Sequence, residues 1–328
     1  MVMQSNKREQ TLLERAISRV SGRRRHTGDK VFPRFTLVFA LIIVGILVGF
    51  LVLLFTDSLP AIREFGLSFF TSSAWDPIRS IFGALPSAYG TLVTSAIALL
   101  IGVPISLGAA IFLAEVAPSW LRGPVSFLVE LLAAIPSVII GLWGLFVLVP
   151  VLKPVEVWIS NHLGFLPIFD GTVIAGLNFF TAGIILTFMI IPIITAVSRD
   201  SIKAVPDTQR EAMLALGATR WETIRRAVLP YCRSGLVGSV ILGLGRALGE
   251  TMAVAMVIGN SNELTAFLFS PGTTIASRIA SNFGEASNQL MRASLIELAL
   301  VLFAITLFVN VIARVLVWRL TSVKGATE

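Results

Sequence analysis

Residues 238–259 read GSVILGLGRALGETMAVAMVIG, an apolar stretch long enough to cross a bilayer with Arg246 and Glu250 set inside it. The hydrocarbon core of a bilayer takes about 20 mostly apolar residues as a helix. An arginine at its centre costs about 2.5–3.5 kcal/mol on insertion scales, so something must offset that cost. At a spacing of i, i+4 the two side chains share one face of a continuous helix. Arginine before glutamate is the weaker order for such a pair, so the pair is not self-sufficient. It either bridges helices as a structural ion pair or lines a water-accessible path, and the residues alone leave both readings open.

The rest of the chain is built for the same environment. Of its 328 residues, 55% are hydrophobic and 14% charged, where a soluble domain carries about 25% charged residues. Six runs meet the length test for spanning, at about 35–56, 87–114, 125–151, 172–198, 234–259 and 293–318. The expected fold class is therefore all-α: a polytopic membrane protein with six transmembrane helices. Pro104 and Pro136 fall within the second and third runs, which membrane helices tolerate when neighbours satisfy the freed carbonyls.

The net charge of +7 is distributed by side. Nine Lys and Arg precede the first run and seven lie in 199–233, against two, one and two in the loops of the opposite side. That asymmetry is the positive-inside pattern and places both termini in the cytoplasm. The basic excess thus sets orientation, and a nucleic-acid partner is not expected. No cleavable signal peptide is evident, because the first apolar run is too long and no small-x-small site follows it. The single cysteine, Cys232, excludes an internal disulfide, and His26 and His162 are too far apart for a histidine-based metal site.

Residues 1–34 form a basic N-terminal segment. Leu13, Ala16, Ile17 and Val20 follow an i, i+3, i+4, i+7 pattern, which suits either a short helix on the inner membrane surface or a polar tail. The permease-sized apolar region covers 35–320, and 321–328 is a cytoplasmic tail. Of the outer loops, 57–86 carries Trp75, Phe69 and Phe70, aromatics that suit an interface anchor or a docking surface.

The segment 199–233 is too long for a connector. Asp207 follows Pro206 and is expected to cap a helix over 208–216. Gly217 follows, where a left-handed residue belongs. Thr219-Arg220-Trp221-Glu222 matches the capping box and starts a second helix expected to end before Pro230. Glu211-Ala212-Met213, Gly217 and Ala227-x-Leu229-Pro230 resemble the EAA motif of ABC-importer permeases, E-A-A-x3-G-x9-I-x-L-P, with Met213 and Ala227 departing from it. The resemblance implies that 199–231 is a coupling-helix loop docking on a separate ATPase, through Glu211, Ala212, Gly217, Arg220, Trp221 and Pro230. No Walker A loop occurs, so ATP and Mg would be bound by that partner and the chain would not itself be an enzyme.

For the substrate, arginine suits a tetrahedral oxyanion because its planar fork donates two parallel hydrogen bonds and stays charged. A glutamate nearby fits an anion that carries a proton: hydrogen phosphate has an O–H to donate and sulfate at pH 7 does not. Gly243 to Asn260, GLGRALGETMAVAMVIGN, resembles the signature of the PstC-type permeases of phosphate-specific ABC importers, with Thr251-Met252-Ala253-Val254 separating it from the companion PstA type. Leu131 to Phe146 and Ala84-Leu85-Pro86 with Tyr89-Gly90-Thr91-Leu92 resemble the same family.

That resemblance implies the type I importer permease fold with six helices. The partners it implies are a PstA-type permease, two PstB-type ATPases, an external PstS-type phosphate-binding protein and inorganic phosphate. It further implies an inner-membrane location, a docking role for the outer loops around Trp75 and Phe82, and path roles for Arg246 and Glu250. Further path candidates are Ser137, Asn178 and Thr181, each with a bland alternative: a hydroxyl back-bonded to its helix, or simple interhelical hydrogen bonds. Glu130 could neutralise Arg246 across helices, and Glu297 is expected to be wet. The alternatives are a permease for sulfate, molybdate or phosphonate, an ion-driven secondary carrier, which would show paired inverted halves, or a regulatory membrane protein.

Overall fold

The structure, a computed structural model, describes residues 27–286 and 288–322. The apolar pattern at Leu13 to Val20 and the 323–328 tail lie outside the described residues. Among the described residues six helices are long and apolar enough to cross a membrane: Phe32–Phe65, Leu85–Val116, Ser137–Leu163, Phe179–Lys203, Arg220–Gly249 and Gln289–Val315.

The chain divides into two compact units, Met1–Leu53 and Leu54–Glu328. The described part of the first is the start of helix α1, Thr27–Phe65. Its side chains from Leu37 to Phe50 are exposed and apolar all round, as suits a lipid-facing helix.

The second unit is built around α7, Phe179–Lys203, the most buried of the spans. Helices α3, Leu85–Ile111, and α10, Leu229–Gly249, lie along it. Hydrocarbon tails are as apolar as leucine, so helices in lipid associate through close packing at small residues. A Cβ on Gly183 would come within 2.6 Å of Ile97 Cγ2, and one on Gly243 within 2.6 Å of Ile194 Cδ1, so both contacts require glycine. The core between these helices includes Ala98, Ile185, Ile190, Ile194 and Ala247.

A second cluster lies at the end of this unit away from residues 207–223. Its elements are α2, Ser68–Thr71, the hairpin of β1, Trp75–Asp76, and β2, Ile81–Phe82, and the start of α13, Gln289–Ser322. Trp75 and Phe82, expected to face a partner, are instead 9% and 1% exposed and stacked edge to face at 4.9 Å. In a two-stranded hairpin their registered pairing puts both rings on one face, and that face is covered.

The third run differs from its expectation. Residues 125–151 do not form one span. Helix α4, Ser119–Ala133, stops before Pro136, and α5, Ser137–Trp143, begins after it. Proline disfavours helical backbone at the residue before it. The chain then continues through a π turn, Gly144–Leu148, into α6, Val149–Leu163, which absorbs most of what was expected as loop.

A π turn also runs over Phe112–Val116 and another over Ile224–Val228. Each of the three ends two residues before a proline, at Pro118, Pro150 and Pro230. At Pro150 and Pro230, where the helix continues, proline has no N–H and clashes with the carbonyl four residues back, and the widened turn relieves that clash; at Pro118 the helix has already ended, with Ala117 extended. The helix from Arg220 therefore passes through Pro230 into α10 and does not end there.

Candidate functional site

Two of the crossing helices are interrupted, and the interruptions face each other. Helix α10 stops at Gly249, Glu250 is extended (φ −69, ψ 129), and α11, Met252–Val257, resumes. Helix α5 packs on α11 so closely that a Cβ on Gly141 would lie 2.9 Å from Ala253 Cα and 2.8 Å from Met256 Sδ. Glycine at 249 and a β-branched threonine at 251 are weak helix formers. The Glu250 carboxylate then accepts a long hydrogen bond from Ala253 N, 3.5 Å, at the start of α11. Non-helical backbone at membrane depth is tolerated only where protein covers it or water lines it.

The break changes the relation between Arg246 and Glu250. They do not share the face of one helix, and they form no ion pair. Arg246 is half-buried, and its Nε is sealed from solvent without a partner. Glu130 does not neutralise it either: that carboxylate pairs with Arg199 Nη2 at 3.1 Å, and Arg199 also holds Asp200 at 3.0 Å. Arg199 was the nearer cation because α4 lies along the far end of α7. Among the described residues, then, no carboxylate is within ion-pair reach of Arg246. Its free donors suit a passing oxyanion.

Ser137, the first residue of α5, is half-buried, and its hydroxyl makes no hydrogen bond among the described residues. Asn178 and Thr181 behave differently. Both are 0% exposed, and they close on Glu156 of α6, also 0% exposed. Asn178 Nδ2 donates to Glu156 Oε2 at 2.9 Å, and Thr181 Oγ1 donates to Oε1 at 2.8 Å. Asn178 Oδ1 meanwhile caps α7 by accepting from Thr181 N, 2.8 Å. Every polar atom of the two side chains is engaged within the protein, in bonds of the interhelical kind that the sequence left as the alternative to a path role. Sequence reasoning missed Glu156. Its signal was a carboxylate inside a helical run, obscured by Lys153 and Pro154 beside it. Glu297, expected wet, is 3% exposed, and with Ile62, Leu67, Phe70 and Leu300 it lines an apolar cavity of about 310 Å3.

The 199–233 segment presents a second surface. Helix α8, Asp207–Ala215, is preceded by Pro206, not capped by Asp207, whose Oδ1 instead accepts from Arg210 Nη1 at 3.1 Å. Gly217 is left-handed at φ +83. Helix α9, Arg220–Thr223, starts with the full capping box between Thr219 and Glu222. Glu211, Ala212, Arg220 and Trp221 are exposed, as are Leu214 and Leu216, and Pro230 is half-buried in the wall behind them. An exposed apolar patch of this kind, rimmed by charge, marks an interaction site.

Helix α8 buries none of its residues. Arg210 anchors it. Its guanidinium donates to Glu115 Oε1 from Nη2 at 2.8 Å and from Nε at 3.2 Å, to Ile202 O at 3.0 Å and to Val205 O at 2.6 Å. Those acceptors belong to the π turn after α3, to the last turn of α7 and, at Val205, to the residue just past its cap. The bonds to Glu115 hold the guanidinium's pKa above its ordinary value.

Comparison with known proteins adds to this geometry. Residues 102–322 match the family described as binding-protein-dependent transport system inner membrane component. The chain is 46% identical to the phosphate transport system permease protein PstC of Haemophilus influenzae, over 90% of this chain and 95% of that protein. It is 44% identical to PstC of Mesorhizobium japonicum, over 91% and 92%. The probable PstC of Methanocaldococcus jannaschii is 38% identical over 85% and 89%. Among solved structures, a bacterial ABC transporter for import of the acidic polysaccharide alginate superposes with TM-score 0.54 at 20% identity, over 87% of this chain and 97% of that one. The MetNI methionine ABC transporter, inward facing, superposes with TM-score 0.51 at 19% identity, over 74% and 99%. Both likenesses concern the fold.

Proposed function

The chain belongs to the PstC-type permeases among the binding-protein-dependent transport inner membrane components, and from that membership we infer that it is the permease subunit of a phosphate-specific ABC importer. It is a multi-pass inner-membrane protein and not itself catalytic. ATP with its Mg is bound by a partner ATPase. The observation that carries the reading is the 46% identity spanning 95% of a phosphate permease.

Within the assembly we assign the finer roles as follows. The chain pairs with a PstA-type permease, two PstB-type ATPases and an external PstS-type binding protein, with both termini cytoplasmic. Glu211, Ala212, Gly217, Arg220, Trp221 and Pro230 form the docking element for the ATPase. Support comes from the exposed Leu214, Leu216 and Trp221 beside them. Arg246, Glu250 and Ser137 line the path at the paired breaks.

Arg246, with no carboxylate in reach, offers its fork to the oxyanion, and the break leaves its neighbour Glu250 on non-helical backbone. A carboxylate there accepts the proton of hydrogen phosphate and repels sulfate, and it prevents the arginine from holding the anion too tightly for release. Asn178 and Thr181 act upstream of this, by fixing the start of α7.

Radiolabelled phosphate uptake into vesicles carrying all partners tests the assignment. Arg246→Gln should lower uptake, and Glu250→Gln should weaken discrimination against sulfate. Unchanged uptake and unchanged discrimination in both variants would refute the path roles while leaving family membership intact.

A further inference from the structure

The loops at the end away from α8 bury an arginine that no step above uses. Arg278 lies on α12, Ile275–Asn282, and is 7% exposed. Its guanidinium carbon stands 5.1 Å from the centre of the Trp75 ring. Nη2 donates to Asn262 Oδ1, and Asn262 Nδ2 donates in turn to the Trp75 carbonyl at 3.4 Å. Nε is sealed without a partner. Among the described residues no carboxylate pairs with this arginine.

That arrangement is out of balance: burying an unpaired charge is costly, and one cation–π contact offsets only part of that cost. Burial pulls the guanidinium's pKa down to about 10, which still leaves it charged at neutral pH. Trp75 belongs to an apolar cluster with Phe69, Phe82, Ile275 and Met291, and low polarity beside the ring strengthens any interaction of the guanidinium with an anion.

Its place in the chain matters as much. Trp75 comes from the connection between the first and second spans, and Asn262 and Arg278 from that between the fifth and sixth. Both connections lie opposite α8, on the side from which an imported anion arrives. The segment leaving α11 is tied to the one entering α12: Gly272 N donates to Ile258 O at 2.9 Å and Ser261 N to Gly272 O at 3.0 Å. Helix α11 and the short stretch paired with Gly272 therefore lie between the break at Glu250 and Asn262.

We propose that Arg278, framed by Trp75 and Asn262, is an entry site that takes up a tetrahedral oxyanion before it moves on to Arg246. The inference rests on the phosphate-importer reading. Neither arginine is paired with a carboxylate among the described residues, so each is free to take the anion in its turn. Holding the first against an aromatic face and a single amide keeps its grip loose enough for release.

Trp75 is a built-in reporter. The experiment titrates inorganic phosphate, at constant ionic strength, into the complete importer in lipid nanodiscs. The difference in tryptophan emission between wild type and Trp75→Phe isolates the ring beside Arg278. A saturable change with phosphate, absent with chloride and absent in Arg278→Met, is expected. Arg278→Met should also lower uptake per assembled complex by about tenfold or more, the equivalent of one hydrogen bond to a charged group, with Arg278→Lys retaining part.

A Trp75 signal indifferent to phosphate would overturn the proposal. So would Arg278→Met transporting at the wild-type rate. So would a signal that needs only the phosphate-free binding protein, which would assign the counter-charge to an acidic side chain of that partner. Absence of any phosphate uptake by wild type would instead reject the importer reading itself.

Discussion

Replacing Arg210 with methionine removes the guanidinium while keeping an apolar stem of similar reach. Helix α8 buries no residue of its own, so its attachment to the rest of the chain is largely polar. Two of the lost bonds go to the carbonyls of Ile202 and Val205 and two to Glu115 Oε1. Hydrogen bonds from charged donors contribute about 1.5–3 kcal/mol each in stability. The pair with Glu115 is discounted because both side chains keep some contact with solvent, 19% and 13%. Since these bonds act as a unit, we take about 3 kcal/mol for the whole attachment. Converted to an opening equilibrium, that is on the order of a hundredfold.

Hydrogen exchange of the α8 amides in the assembled complex measures it directly. Arg210→Met should speed their exchange by on the order of a hundredfold and leave the amides of α7 near Ile190 unchanged. The same variant should raise the ATP hydrolysed per phosphate moved, because motion of α8 no longer reaches α3 and α7. Exchange within about threefold of wild type would show that α8 is held by something other than Arg210, and the reasoning would fail. Glu115→Gln should weaken the attachment by less than Arg210→Met, since both carbonyl bonds survive.

Two other substitutions probe the membrane-embedded part. Asn178→Asp keeps the oxygen that caps α7 but replaces the donor to Glu156 with a second carboxylate, so it should lower the melting temperature in detergent more than Asn178→Ala does. Loss of the donor alone costs about 1–3 kcal/mol, and equal melting temperatures for the two variants would refute the assignment. Gly141→Val places two methyl groups where a Cβ alone already meets Ala253 Cα at 2.9 Å. The expected cost is about 1–3 kcal/mol of overpacking, with reduced uptake per assembled complex. Gly108→Ala, where a Cβ meets nothing within 4 Å, should leave uptake unchanged.

What could be read from the residues alone depends on local physics. Length and apolarity suffice to recognise a membrane crossing, because hydrocarbon imposes the same demand on every segment. The left-handed Gly217 and the capping box of Thr219 and Glu222 were legible for a related reason: both are closed by atoms within three residues of each other. The exposed face of α8 and α9 falls in the segment that the motif singled out. Asp207 was misjudged only because Pro206 took the cap position, freeing the carboxylate to meet Arg210.

Tertiary packing decided the rest, wherever a polar group chose among partners distant in the chain. Glu130 could have met either of two arginines, and the lie of α4 along α7 selected Arg199, 69 residues away. Arg210 reaches Glu115 across 95 residues, and Glu156 collects Asn178 and Thr181 from the next helix. The break at Glu250 carries no proline to announce it. The close seating of α11 on Gly141 accompanies it, and it removes the one-turn spacing that made Arg246 and Glu250 look like a pair. In an apolar medium a buried polar atom left without a partner is costly, so most find one somewhere in three dimensions. Sequence distance says little about where that partner is.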